Sequence, residues 1–94
     1  MSQDWKICVQ PAEREPFVFR ATFVLRRAGC DEGVLDARYL YGDGDLAVFL
    51  EDLGAGSSEI WGLLERLQGQ KTAEILVDVT DEAMEVLARH PIAE

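Results

Sequence analysis

Few residues in this chain are suited to chemistry. His90 is the only histidine, and Cys8 and Cys30 are the only cysteines. An imidazole-activated nucleophile would have to use His90. That residue precedes Pro91 at the end of an apolar helical stripe, where a cation complements the helix dipole. A cap is the expectation there. Two cysteines and one histidine do not complete a structural zinc set without carboxylate help. Neither metal nor cofactor is expected.

Tyr39-Leu40-Tyr41-Gly42-Asp43-Gly44-Asp45 is the most site-like segment. Its glycines and aspartates have a calcium-loop flavour, but the spacing fails. Counting from Asp43, the fifth, sixth and twelfth places hold Ala47, Val48 and Gly54. Strand exit and helix capping explain the segment. Gly54-Ala55-Gly56-Ser57-Ser58 offers N–H groups to an anion, but no Lys-Ser or Lys-Thr follows to make a phosphate loop. Asp43 with Asp45, and Asp81 with Glu82, are carboxylate pairs at helix starts. An enzyme would need a cleft near Tyr39, Tyr41 and Cys30. The expectation is that the chain is not an enzyme.

The elements that hold these residues are legible from periodicity. Trp5–Gln10 reads as a strand with Trp5, Ile7 and Val9 on one side. Pro11 and Pro16 bracket a turn. Phe17, Phe19, Ala21, Phe23 and Leu25 alternate with polar or smaller residues over ten positions, a second strand. Arg27–Gly33 reads as a hairpin loop. Val34–Tyr41 reads as a third strand with Leu35, Ala37, Tyr39 and Tyr41 inward. Val34, Asp36, Arg38 and Leu40 then face outward.

Three helical stripes follow. Leu46, Phe49, Leu50 and Leu53 mark the first, with Asp43 or Asp45 as cap and Gly54 and Gly56 as stops. Ile60, Leu63, Leu64 and Leu67 mark the second, capped by Ser57 or Ser58 and ending at Gly69. Gly62 weakens it unless a neighbour packs closely there. Lys71–Val79 returns to period two. Thr80 or Asp81 caps the last helix, whose stripe is Ala83, Val86, Leu87 and His90.

The order β-β-β-α-α-β-α, with one apolar face per strand, predicts a single α+β domain over residues 1–94. The architecture is a two-layer sandwich: a four-stranded, mostly antiparallel sheet with helices on one face. The sequence leaves the place of the fourth strand open.

Charge is divided unevenly along the chain. Residues 1–42 balance six bases against six acids, so the whole formal charge of −9 belongs to residues 43–94. The acids fall on the outer sides of the helices: Glu51, Asp52, Glu59, Glu65, Glu82 and Glu85. Such a layer repels nucleic acid and attracts basic proteins. No apolar run is long enough for a bilayer, and no leader pattern is present. Free thiols suit a cytoplasmic protein. Seven arginines against two lysines and no asparagine point to a GC-rich bacterial or phage genome.

The reading these features favour is a small acidic protein-binding module of the inhibitor type. An immunity protein, an antitoxin or a phage-encoded inhibitor has this character. Its partner would be a basic toxin, nuclease or nucleic-acid-binding complex. The alternative is a self-associating accessory subunit, a homodimer formed through the open sheet face at Val18, Arg20, Val24 and Leu40.

Overall fold

The computed structural model describes residues 3–12, 17–28, 30–69 and 71–91. The fold is α+β, with strands β1 (Gln3–Pro11), β2 (Val18–Arg27) and β3 (Cys30–Tyr41), then helices α1 (Gly42–Asp52) and α2 (Ser57–Gly69), strand β4 (Ala73–Asp78) and helix α3 (Asp81–Arg89). The sheet order is β3-β2-β1-β4. Every neighbouring pair is antiparallel. The fourth strand, unplaced by sequence, therefore lies beside the first and forms the second edge.

Alternation along the strands builds the core. Trp5, Ile7 and Val9 of β1, Ala21 and Phe23 of β2, and Ala73, Ile75 and Val77 of β4 are buried on one face. Leu46, Phe49, Leu50 and Leu53 of α1 and its end close over them, with Ile60 and Leu63 of α2 and Ala83 and Leu87 of α3. The α1 helix packs on both other helices, and α2 lies against β4. No described helix is long and apolar enough to cross a membrane.

The third strand departs from the expected phase. Phe23 pairs with Leu35, yet Ala21 pairs with Arg38, so two steps along β2 match three along β3. The extra residue makes a bulge. A shift of one residue exchanges the faces of everything beyond it. Val34 faces outward as expected, and Leu35 pairs with the buried Phe23 yet is 38% exposed rather than enclosed in the core. Past the bulge, Arg38 and Leu40 turn toward the helices, 6% and 1% exposed, whereas Tyr41 is 63% exposed. Arg38, expected to face outward, is thus no part of the open face. The side chain of Asp36 lies outside the described residues.

The turns also differ in detail. The β2–β3 connection is only residues 28–29, because Arg27 already pairs with Cys30; the ladder absorbs most of the expected loop. The expected turn over residues 12–15 lies, apart from Ala12, outside the described residues. Phe17, expected inside the second strand, precedes it with φ 68° and is 83% exposed.

Helix ends follow local chemistry. The N-cap of α1 is Tyr41, without a side-chain bond, and Asp43 and Asp45 lie in the first turn. There they favour the helix dipole rather than cap. Gly54 adopts φ 104° after α1. Its N–H donates to Glu51 O at 2.9 Å, and that of Ala55 to Leu50 O at 3.0 Å. This pair of bonds is the Schellman stop, and the left-handed position suits glycine. Ser57 and Ser58 lie within the first turn of α2 rather than before it. Thr80 caps α3 as expected, its Oγ1 accepting from Ala83 N at 3.0 Å.

Candidate functional site

The helical layer carries the charge imbalance. The three helices contain nine carboxylates against Arg66 and Arg89. Glu51 and Asp52 end α1, Glu59 and Glu65 lie on α2, and Glu82 and Glu85 lie on α3; all six are exposed. Among the described residues, none of these nine helical carboxylates is in an ion pair. The ion pairs lie elsewhere. Lys6 Nζ is 3.8 Å from Asp31 and 3.9 Å from Glu74. Arg26 meets Asp31, and Arg27 meets Glu32, each at 3.5 Å. These ion pairs thus lie on the strands, and the helix side leaves its acids facing water.

The open sheet face is less apolar than expected. Leu40 faces the core because of the bulge, and Val18 is only 8% exposed. The N–H of Ala12 donates to Val18 O at 2.8 Å, so the chain leaving β1 folds back there. Arg20 and Val24 are half-buried. Val34, Val24, Lys6 and Leu76 form one row across the four strands. The ammonium of Lys6 interrupts the apolar members of that row.

A groove of about 680 Å³ opens at the β3 edge. Its floor is Leu40 and Phe49. One wall is the α1 stripe Asp45, Val48 and Asp52, and the other is the end of α3 at Val86, Arg89 and His90, with Pro91 beyond. Tyr39 and Tyr41 complete it along the strand. Four of these residues, Tyr39, Leu40, Tyr41 and Asp45, belong to the Tyr39–Asp45 segment singled out from sequence. Cys30, the third member of the cleft considered there, does not line it. It lies eleven residues from Tyr41 along β3, about 36 Å at 3.3 Å per residue.

The groove depends on how the end of α3 is held. Arg38, turned inward by the bulge, donates from a terminal nitrogen to Leu87 O at 3.1 Å. A cation at a helix C-terminus satisfies a free carbonyl and opposes the dipole. Its guanidinium carbon is 6.0 Å from the Phe23 ring centre, within cation–π range. His90 is the C-cap of α3. Its ring lies 4.6 Å from that of Phe49, and its Nε2 is 3.4 Å from Tyr39 O. A carbonyl only accepts, so Nε2 is the protonated nitrogen in that contact.

The same contact protects the sheet edge. Gly42 N donates to Phe17 O at 2.7 Å, which puts the Gly42 amide toward β2. Alternation in an antiparallel ladder then directs the Tyr39 main-chain groups away from β2. His90 covers one of these outward carbonyls, a device that blunts strand-to-strand association. The role expected for His90, a cap, thus extends to the neighbouring strand.

The thiols differ. Cys8 is half-buried and Cys30 exposed, and both are free. Cys8 Sγ donates to Glu74 Oε2 at 3.6 Å. Burial pushes its pKa up, and the Glu74 carboxylate adds to the shift; Lys6 and Thr22 oppose it. A thiol held protonated is a poor nucleophile. Among the described residues, no cluster of three or more His, Cys, Asp or Glu side chains is placed to hold a metal ion.

No protein-family model, curated protein or solved structure matches this chain.

Proposed function

We propose that the chain is a small cytoplasmic protein-binding module that docks a basic partner through its acidic helical layer, in the manner of an inhibitor. The observation that carries this reading is the one-sided electrostatics. The helices hold nine carboxylates and two guanidiniums, and none of those acids has an ionic partner among the described residues. An unpaired field of one sign steers an oppositely charged protein and makes association sensitive to salt. A toxin, a nuclease or a nucleic-acid-binding complex is basic in the required sense. Carboxylates on rigid helices imitate the phosphates such a partner ordinarily meets. Two free thiols support the cytoplasm as the compartment.

The test is capture of partners from host lysate by tagged protein, released in a salt gradient, with charge-reversed baits in parallel. Glu59→Lys with Glu65→Lys, and Glu82→Lys with Glu85→Lys, alter only exposed positions. The reading expects a stoichiometric basic protein whose retention falls about tenfold with either pair, while the far-ultraviolet circular dichroism stays native. Normal retention by both variants would refute the acidic-layer reading.

A further inference from the structure

The groove at the β3 edge goes further than the layer in which it sits. Along α1, Asp45, Val48, Phe49 and Asp52 stand at i, i+3, i+4 and i+7, which places them on one helix face. This stripe sets a carboxylate at each end of an apolar strip. The opposite side offers ring faces. Tyr41 is 63% exposed, and the half-buried His90 ring lies 4.6 Å from that of Phe49, which is itself only 4% exposed. Carboxylate, apolar strip and aromatic face are the three surfaces that an arginine side chain uses. Its guanidinium pairs in a plane with a carboxylate, stacks on rings and carries little hydration, and its stem lies on apolar surface.

We propose that this groove receives one arginine side chain of the basic partner, and the proposal rests on the acidic-layer reading above. The groove volume of about 680 Å³ is ample for one side chain and part of the main chain that carries it. The two carboxylates are seven residues apart, about 10 Å along the axis. A single guanidinium therefore engages one of them, and the single variants Asp45→Asn and Asp52→Asn have unequal effects. The resident cation does not fill the place. Arg89 directs Nε to Glu85 O of its own helix at 3.4 Å and forms no ion pair with Asp45 or Asp52.

The test is an amide-resolved NMR titration of the full chain with the acetylated, amidated tripeptide Ala-Arg-Ala. Ala-Lys-Ala and Ala-Glu-Ala serve as comparisons. The arginine peptide is expected to give saturable shifts at Tyr41, Val48, Phe49 and His90, with a Kd of about 1 mM. The lysine peptide binds at least about threefold more weakly, since it lacks the planar fork, and the glutamate peptide does not bind. Asp45→Asn with Asp52→Asn abolishes the shifts, as does Tyr41→Ala, while Glu59→Gln with Glu65→Gln leaves them. Arg89→Gln strengthens binding. Absence of saturation with the arginine peptide overturns the proposal. So do shifts spread evenly over the helices that survive the double aspartate variant, because they report a general counter-ion atmosphere. Saturable groove binding beside charge-insensitive capture refutes the layer reading and retains the groove. The reverse pair of results does the opposite.

Discussion

Gly62 lies inside α2, where a glycine costs a helix about 0.8–1 kcal/mol relative to alanine. The sequence leaves open whether close packing justifies it. In the structure, a Cβ built there meets only the Arg66 Nη1, at 3.7 Å. That is ordinary contact with the flexible end of a side chain. Gly62→Ala is therefore expected to stabilise the protein by about 1 kcal/mol, through backbone entropy alone. In urea, with a slope of about 1–3 kcal/mol/M, the midpoint rises by about 0.3–1 M. In a thermal scan, Tm rises by about 4–8 °C for a domain of this size. Gly54→Ala is the matched control. A Cβ there meets nothing within 4 Å, but its φ is 104°. The same methyl group then destabilises by about 1 kcal/mol or more, since only the backbone conformation differs. An unchanged or lowered midpoint for Gly62→Ala, at constant slope, would refute the reasoning. The stabilised variant also makes a sound background for changes in the groove, because Gly62 does not line it.

Other expectations follow from single contacts. Thr80→Ala removes the oxygen that accepts from Ala83 N and should cost about 1 kcal/mol, read from the urea midpoint; Thr80→Ser should retain most of it. The thiols should separate kinetically. Because the Cys8 pKa is raised by burial and by Glu74, its thiolate fraction near pH 8 lies below that of an ordinary thiol. Iodoacetamide at pH 8 should modify Cys30 at least about tenfold faster, followed by peptide mass mapping. Glu74→Gln removes the acidic contributor and should narrow the gap. Equal rates in the folded protein would refute the assigned cause. The sign for stability is also fixed. Folding favours the protonated Cys8 thiol, so this contribution is complete below the ordinary thiol range near 8.5 and declines as pH rises through the folded value.

Much of this arrangement was legible before folding because most strands obey a strict period. In β1 and β4, buried and exposed residues alternate as the apolar pattern predicts. Thr80, placed just before an apolar stripe with acids after it, marks its helix unambiguously. Between Val34 and Tyr41 the third strand failed at one point, the bulge between Leu35 and Arg38; a second register shift lies between its Asp31 and Gly33. A bulge is one inserted residue, and nothing local distinguishes it from continued alternation. Its one sign was the weak pattern after Ala37, where apolar residues at 39, 40 and 41 fit either face. The consequence was large: Arg38 and Leu40 changed sides together, and with them the reading of the open face.

The groove was half legible for a similar reason. Tyr39, Tyr41 and Asp45 stand close in sequence and drew notice as a segment. Val86, Arg89 and His90 come more than forty residues later and join them through core packing, the His90 contacts and the bond from Arg38 to Leu87 O. That bond depends on the same bulge. The acidic character of the helices, by contrast, follows from composition and stripe alone. Glu51, Asp52, Glu59, Glu65, Glu82 and Glu85 are exposed where the periodicity put them.

The sheet order β3-β2-β1-β4 also has a kinetic meaning. The strands β1, β2 and β3 form a meander from contacts made within about forty residues, and such local pairings close early. The pairing of β1 with β4 joins Asp4 to Asp78 and Val9 to Ala73, across almost the whole chain. During synthesis, the central strand therefore waits with one bare flank until residues 73–78 have emerged. Throughout that interval Trp5, Ile7 and Val9 present an apolar face beside unpaired main-chain groups. The nascent meander is the form of this protein most prone to join a neighbour's strand. Slowing translation just before β4 should lengthen that exposure, and speeding it should raise the soluble yield.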